Sequence, residues 1–425
     1  MKIAIFTDTY EPEINGIVTS TSNFVRMLAD DGYQVIIFCP KYDDKKDRVE
    51  NNIKIFRFPA FSFATNKNTK IALPYLSKII KVLKKEKPNL IHIQTPMNLG
   101  IAGVIVAKIL KIKSIQTYHT YLPEFAAYLK ISSLIGIDKA KKKIVESEIA
   151  KNIKETSFYQ RVRELNHRTK KEYLRLIGNK KIKFNIADRS AWAFTRFLYN
   201  KSDLVLTPSK ILAKILKKKG IKVPVFDQTN GIVTSKISVK KDYKKTGKII
   251  HFGRLGLEKD VDVIIRAFEL AREKDRSLTL HIMGDGPARE SLENLVAKRV
   301  LTKSVKFYGF VSHDKILKIL KDFDLFVTAS PMETQGLVIL EAMAAGLPVV
   351  GVNALAVPEV VIEEKNGYTV SRRNHKKMAE KMLEIISDPK KFKSFGEDSK
   401  KIAAEHDIKK AYQRLKGHYY RVTGF

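Results

Sequence analysis

Short, wholly apolar runs alternate with longer amphipathic stretches from the first residues onward. Ile3 to Phe6, Gln34 to Cys39 and Leu90 to Ile93 have the length and continuous apolarity of strands buried on both faces. The helical periodicity between them predicts helices over 19–31, 73–85 and 100–111. Buried strands separated by helices build a parallel sheet. The series starts again after Lys241-Asp242-Tyr243-Lys244-Lys245, a polar stretch suited to a linker. Strands are predicted at Lys248 to Phe252, Leu278 to Met283, Val305 to Phe307, Leu325 to Thr328 and Pro348 to Val352, with helices over 261–273 and 336–345. One alternation, run twice, predicts two parallel α/β domains, 1–240 and 245–410, with a cleft between them. The length of 425 residues agrees, because a single core rarely grows past about 250–300 residues.

Charge adds what periodicity cannot. Lys plus Arg number 79 against 45 Asp plus Glu, a formal +34, far beyond what solubility requires, and this implies an anionic partner: ligand phosphates, nucleic acid or a lipid surface. Two segments concentrate the excess. From Lys139 to Lys183 there are 15 Lys or Arg against 5 Glu, interleaved with Phe158, Tyr159, Tyr173, Leu174 and Ile177, inside a helix-forming insert over 131–184. From Phe61 to Lys87 seven Lys stand against one Glu. In that second stretch Leu76, Ile79, Ile80 and Leu83 define one apolar face, with Lys67, Lys70, Lys78, Lys81, Lys84 and Lys85 around it. Each segment reads either as a solvated face over core or as a basic amphipathic surface resting on anionic lipid. The single Cys39 lies in a strand-like run, so it forms no intramolecular disulfide, reads as a core residue and suits a reducing compartment. The N-terminal apolar run is too short for a signal-peptide core, and no stretch approaches the roughly 18–20 apolar residues of a membrane span, so any membrane contact is expected to be peripheral.

The densest chemistry lies in Pro331 to Val350, PMETQGLVILEAMAAGLPVV, where Glu333 and Glu341 bracket the start of a helix that ends at Gly346. The first turn of that helix exposes the amides of Gln335, Gly336 and Leu337, with Thr334 beside them, and Gly336 lets a ligand approach the main chain. Such a terminus suits a diphosphate. Glu341 lies about two turns further on, so one carboxylate could hold a sugar while the other reaches ribose hydroxyls. Upstream, His251-Phe252-Gly253-Arg254-Leu255-Gly256-Leu257-Glu258-Lys259-Asp260 ends a strand and delivers Arg254 and Lys259 to the carboxyl edge of the sheet, where two cations can neutralise a leaving diphosphate. Gly284-Asp285-Gly286-Pro287 lacks the third glycine of a dinucleotide fingerprint, since position 289 is Arg. There is no Asp-x-Asp pair at these motifs and no Cys/His cluster, so no metal or cofactor is expected.

In this order these residues resemble the retaining, GT-B-fold glycosyltransferases of family four, over nearly the whole chain except about 131–184. Phe6-Thr7-Asp8-Thr9-Tyr10-Glu11-Pro12-Glu13-Ile14-Asn15-Gly16 and Thr117-Tyr118-His119-Thr120-Tyr121 look more narrowly like bacterial diacylglycerol glucosyl- and galactosyltransferases. The resemblance implies two Rossmann-like domains and a terminal helix, 411–425, crossing back to the first. It further implies that Gly16 meets the donor's distal phosphate, His119 faces the donor sugar, and Arg254 and Lys259 clamp the diphosphate. Glu333 would hold sugar hydroxyls, Glu341 the ribose, and Tyr308-Gly309-Phe310 the base through main chain. Asn230-Gly231-Ile232 matches a familiar turn and receives no role.

The expected reaction moves glucose or galactose from a UDP-sugar to a membrane lipid with the anomeric configuration kept, at the cytoplasmic face of the membrane. A same-fold transferase with a soluble acceptor explains the donor motifs equally well but leaves the two basic segments without purpose. An epimerase on the same fold, and a basic nucleic-acid-binding protein, are further readings; the last does not account for Glu333 and Glu341 beside Arg254 and Lys259.

Overall fold

The computed structural model describes residues 1–42, 47–63, 66–121 and 180–424, with side chains omitted at 63, 66–69 and 180–188. Its first sheet holds β1 (Lys2–Phe6), β2 (Gln34–Pro40), β3 (Arg48–Glu50), β4 (Ile53–Phe58), β7 (Leu90–Ile93), β8 (Lys113–Thr117), β9 (Leu204–Thr207) and β10 (Val225–Asp227). A separate antiparallel hairpin pairs β5 (Ala60–Phe63) with β6 (Asn66–Ala72). The spatial order of the first sheet is β10-β9-β8-β7-β1-β2-β4-β3, parallel except for β3 against β4. The second sheet orders β13 (Val305–Phe307), β12 (Thr279–Met283), β11 (Lys248–Phe252), β14 (Leu325–Val327), β15 (Val349–Val352) and β16 (Gly367–Val370), parallel throughout.

Each sheet buries both faces, which is why its strands read as unbroken apolar runs. Alternate residues of β1 serve opposite faces: Ala4 and Phe6 pack with the helices Leu76–Glu86, Asn98–Leu110 and Lys210–Lys218, while Ile3 and Ile5 pack with Gly16–Asp30 and the last helix, Ile408–Thr423. In the second sheet Ile249 faces the helices Val261–Lys274 and His375–Ser387, and Ile250 faces Leu337–Ala344. Cys39 is fully buried in β2, and burial pushes its thiol up to about 12.

The terminal helix does return to the first sheet. Ile408, Ala411, Tyr412, Leu415 and Tyr419 join the β1 and β2 core. Asp407 caps its start by accepting from Lys409 N at 2.8 Å, and Tyr412 Oη and Lys416 Nζ donate to Asp31 at 2.7 and 2.8 Å. Tyr419 is buried, whereas Tyr420 is 40% exposed and meets the Tyr33 hydroxyl.

The segment 61–87 is where structure and pattern part. The expected helix over 73–85 runs Leu76–Glu86, because Pro74 follows a strand; residues 60–63 and 66–72 pair as antiparallel strands, which leaves Lys67 and Lys70 off any amphipathic helix. Of the expected apolar face Ile79 and Leu83 are core, Ile80 leans on it, and Leu76 is exposed. The first helix also begins at Gly16, capped by Asn15, three residues before the predicted start. The basic insert lies outside the described residues as far as 179; from Lys180 the chain is helical to Tyr199.

Because the last helix closes the first core, Leu415→Ala should cost about 2–5 kcal/mol of stability and lower the first thermal transition, measured by calorimetry. An unchanged melting profile would mean that the helix is dispensable to that core.

Candidate active site

Both sheets reverse their winding at one place. In the first the chain runs outward from β1 to β2 and β4 on one side and from β7 to β10 on the other; in the second the split lies between β11 and β14. Loops leaving the carboxyl ends at such a switch diverge and open a crevice. The loops after β1, β7 and β8 carry Asn15 and Gly16, Gln94, and His119; those after β11 and β14 carry Arg254 to Lys259 and Glu333 to Gly336.

The loop after β11 is tightly specified. Gly253 takes φ 137°, the 3-10 turn Leu257–Lys259 follows, and Asp260 ends it in the left-handed region at φ 47°. Asp260 is held by Arg373 Nη1 at 2.9 Å, with Arg372 Nε 3.4 Å from its other oxygen. So fixed, Lys259 Nζ donates to Glu333 Oε1 at 2.6 Å across the two loops. Burial raises the Glu333 pKa; the charge and hydrogen bond of Lys259 outweigh it and hold the carboxyl below its usual value. Arg254 pairs with Glu258 instead. Both expected diphosphate cations therefore rest on carboxylates, rather than standing unpaired.

Glu333 is also fixed by its carbonyl, which accepts from Ala356 N at 3.1 Å. Beyond it Gly336 takes φ 78°, and a Cβ there would sit 2.7 Å from Ile339 Cδ1. The amides of Gln335, Gly336 and Leu337 make no hydrogen bond among the described residues. Gly16, the first residue of its own helix, faces them: a Cβ there would lie 3.4 Å from Leu337 Cδ1. Two helix N-termini thus confront each other across the cleft, an arrangement that favours a bound anion.

On the first domain's side Asp8 accepts from the amides of Leu99 at 2.8 Å and Met97 at 3.1 Å, anchoring the helix after β7. His119 is buried and its Nε2 lies 2.8 Å from Gln94 Oε1. Burial lowers its pKa to about 4, so its ring is neutral near pH 7. His251, at the end of β11, places Nδ1 2.9 Å from Val327 O and is likewise lowered to about 4, by burial first.

The remaining predicted residues sit as follows. Glu341 is buried and bonds His313 Nε2 at 2.9 Å, a contact that raises the His313 pKa against the opposing effect of burial. Tyr308 Oη lies 2.8 Å from His281 Nδ1, Gly309 turns at φ 65° and Phe310 is exposed. Thr334 is half-buried. The Gln335 side chain is spent on the junction of the domains: its Oε1 accepts from Asn230 N at 2.9 Å and its Nε2 donates to Thr229 Oγ1. Ser20 Oγ donates to Asn230 at 3.3 Å, so the turn left without a role is the point where three segments meet. Gln94, His251 and His313 were not singled out from sequence; His251 could have been, since it closes the strand that delivers Arg254. Lys81, Lys84 and Lys85 are exposed on Leu76–Glu86, and Lys78, also exposed, reaches Asp47 at 3.7 Å and lies over the ring of the core residue Phe58, while the Lys67 side chain lies outside the described residues.

A family model described as Glycosyltransferase Family 4 matches residues 14–236, more than half of the chain, and one described as Glycosyl transferases group 1 matches 234–402. The alpha-monoglucosyldiacylglycerol synthase of Streptococcus pneumoniae is 26% identical over 364 residues, covering 82% of this chain and 70% of that protein. Its namesake from Acholeplasma laidlawii is 26% identical over 355 residues, covering 82% and 80%. An Anabaena protein solved in complex with UDP matches with a TM-score of 0.70 at 16% identity, over 99% of this chain and 100% of that one, which shows the shared fold.

The ion pair predicts opposite pH responses. In the native chain Glu333 adds stability that is present above the unfolded carboxyl pKa, about 4.3, and is lost as pH falls through the lower folded value. In Lys259→Met the largest influence opposing burial is gone and the folded pKa rises, so stability is full below about 4.3 and is lost as pH rises through the folded value. Melting temperatures between about pH 3.5 and 7 should show this inversion, and Lys259→Met with Glu333→Gln should abolish it.

Proposed function

The chain belongs to glycosyltransferase family 4, and from that premise we propose that it moves glucose or galactose from a UDP-sugar to the hydroxyl of a membrane lipid, diacylglycerol before others, with the anomeric configuration kept. The observation that carries the donor half is the Lys259–Glu333 pair set beside two facing helix N-termini. A diphosphate entering there meets the amides of Gly16, Gly336 and Leu337 and competes with Glu333 for the Lys259 ammonium. Arg254 adds a second cation. Glu333, relieved of its partner, accepts from sugar hydroxyls, and His119 faces the same sugar from the first domain. Glu341 takes the ribose, and the main chain at Tyr308, Gly309 and Phe310 takes the base.

Transfer is then a same-face displacement. The bond from the anomeric carbon to the diphosphate oxygen breaks as the acceptor oxygen bonds that carbon. The acceptor's proton passes to an oxygen of the departing diphosphate, whose charge the cations and helix termini stabilise. Glu333 positions the sugar in this scheme and forms no covalent link. The protein's own cations supply the countercharge, so activity without added metal is expected.

The lipid half rests on two supports. The relatives named above are called alpha-monoglucosyldiacylglycerol synthases. The helix Leu76–Glu86 turns Lys78, Lys81, Lys84 and Lys85 to solvent, with Tyr75 53% and Phe61 52% exposed nearby in the chain. A basic face with protruding aromatic side chains suits peripheral docking on an anionic leaflet, at the cytoplasmic side where nucleotide sugars are available. Among the described residues no helix is long and apolar enough to cross a membrane.

Transfer should be measured from labelled UDP-glucose and UDP-galactose to diacylglycerol in vesicles with and without anionic lipid, EDTA present. An α-hexosyl lipid whose yield rises with anionic lipid is expected; donor hydrolysis with no lipid product would move the acceptor to a soluble glycan or polyol. Glu333→Ala should lower turnover at least about 100-fold in a folded protein, and near-normal turnover would remove Glu333 from the site. Replacing Lys78, Lys81, Lys84 and Lys85 by Ser should weaken binding to anionic vesicles by at least about tenfold; unchanged sedimentation would assign that face to solvent.

A further inference from the structure

We propose that Gln94 is a positioning residue that sets which ring nitrogen of His119 carries the proton, at the end of a buried chain that starts on the returning terminal helix. The inference rests on reading His119 as the residue that faces the donor sugar.

Gln94 follows β7 and is 5% exposed; His119 follows the neighbouring strand β8. His119 Nε2 lies 2.8 Å from Gln94 Oε1, and an amide oxygen is only an acceptor, so Nε2 must be the donor. Burial keeps this ring neutral at pH 7, and a neutral imidazole has one N–H. The proton is therefore held on Nε2, and Nδ1 is the lone-pair nitrogen, with no partner among the described residues. Such a ring can accept a hydrogen bond from a sugar hydroxyl through Nδ1; the opposite tautomer could only donate there.

Behind Gln94 a second buried histidine, His92, packs its ring against the amide. The Gln94 amide nitrogen lies 3.2 and 3.3 Å from the two ring nitrogens of His92, whose Nδ1 is 2.7 Å from Tyr419 Oη and whose Nε2 is 2.7 Å from Thr117 Oγ1. His92 is buried and lowered to about 3, by burial first, so it too is neutral. Tyr419 comes from Ile408–Thr423, which places the last helix of the chain three side chains away from His119. A half turn of the Gln94 amide would bring its NH2 to His119 Nε2 and drive the proton to Nδ1. The chain Tyr419, His92, Gln94 thus gives the terminal helix a part in the site beyond closing the core.

The test combines imidazole 15N–1H correlation spectra at pH 7.5 with steady-state kinetics and UDP titration. The native protein should show His119 as the Nε2–H tautomer. Gln94→Leu should give a tautomer mixture and a kcat lower by about tenfold to a hundredfold, with UDP affinity changed by less than about twofold. Gln94→Glu, which keeps the acceptor oxygen and the shape, should restore the Nε2–H tautomer. A native Nδ1–H tautomer, or Gln94→Leu with both tautomer and kcat unchanged, would overturn the proposal. His119→Ala separates the two layers: full activity there sinks the reading of His119 as a sugar contact, while the spectra still decide whether Gln94 sets its tautomer.

Discussion

A carboxylate withdrawn from water must find a cation or give up its charge, and Glu333 is the carboxylate around which the cleft is organised. Removing it from water costs several kcal/mol, and the Lys259 ammonium at 2.6 Å offsets enough of that to keep the carboxyl ionised. The two groups lie 74 positions apart, on loops from β11 and β14 that become neighbours only because the second sheet changes direction between those strands. The pair ties the two loops together across the crevice. With the pair formed, neither of these two largely buried charges is left bare. Pairs of this kind add little net stability and much definition, which is what a site needs before its ligand arrives.

Holding the domains in register is a separate problem, met by hydrogen bonds to main-chain amides and hydroxyls rather than by an ion pair. Gln335, one residue before the glycine that turns the donor helix, reaches Asn230 and Thr229, and Asn230 takes the Ser20 hydroxyl. Glu359 of the second domain accepts from the amides of Lys210 and Ile211 at the start of a first-domain helix. The short helix that carries Glu359 begins at Val357, directly after Ala356, the residue that holds the Glu333 carbonyl. The residue that bridges the domains and the residue that holds the Glu333 loop are thereby near neighbours in the chain. Gly16 and Leu337 can face each other because this junction sets the distance between two helix termini that carry no opposing charge of their own.

Much of this was legible in the sequence, for stated physical reasons. Strands buried on both faces, such as Gln34–Pro40 and Val349–Val352, leave unbroken apolar runs that few other structures produce. Gly336, Gly346 and Pro348 punctuate the donor helix so clearly that its ends were placed to within a residue. Where several structures share one composition, legibility ended. Residues 60–72 mix lysines with Phe61, Phe63 and Ile71, a pattern that a hairpin and an amphipathic helix satisfy equally, and only the strand pairing of Ser62 with Lys70 separates them. Which acid meets which base was equally hidden: Arg254 finds Glu258 one turn on, while Lys259 ignores that neighbour for Glu333. Gln94 left no trace, since one glutamine at a strand end gains meaning only beside His92 and His119.

The histidines of the cleft bear on how its electrostatics are built. Burial lowers His119 and His251 to about 4, so neither carries charge near pH 7, and neither can serve there as a standing cation toward phosphate. Positive potential must come from Lys259, Arg254 and the helix termini, and Lys and Arg side chains keep their charge across the physiological range. The division separates two tasks. In the transfer proposed above, fixed cations and main-chain amides would meet the charge that grows on a leaving diphosphate, while neutral rings would supply directed hydrogen bonds to hydroxyls. A ring that gained a proton near pH 7 would add a second electrostatic pull on the diphosphate and lose its accepting nitrogen in the same event. Burial prevents both: His251 is enclosed within β11 and His119 just beyond the end of β8, while the cations stand further out on their loop.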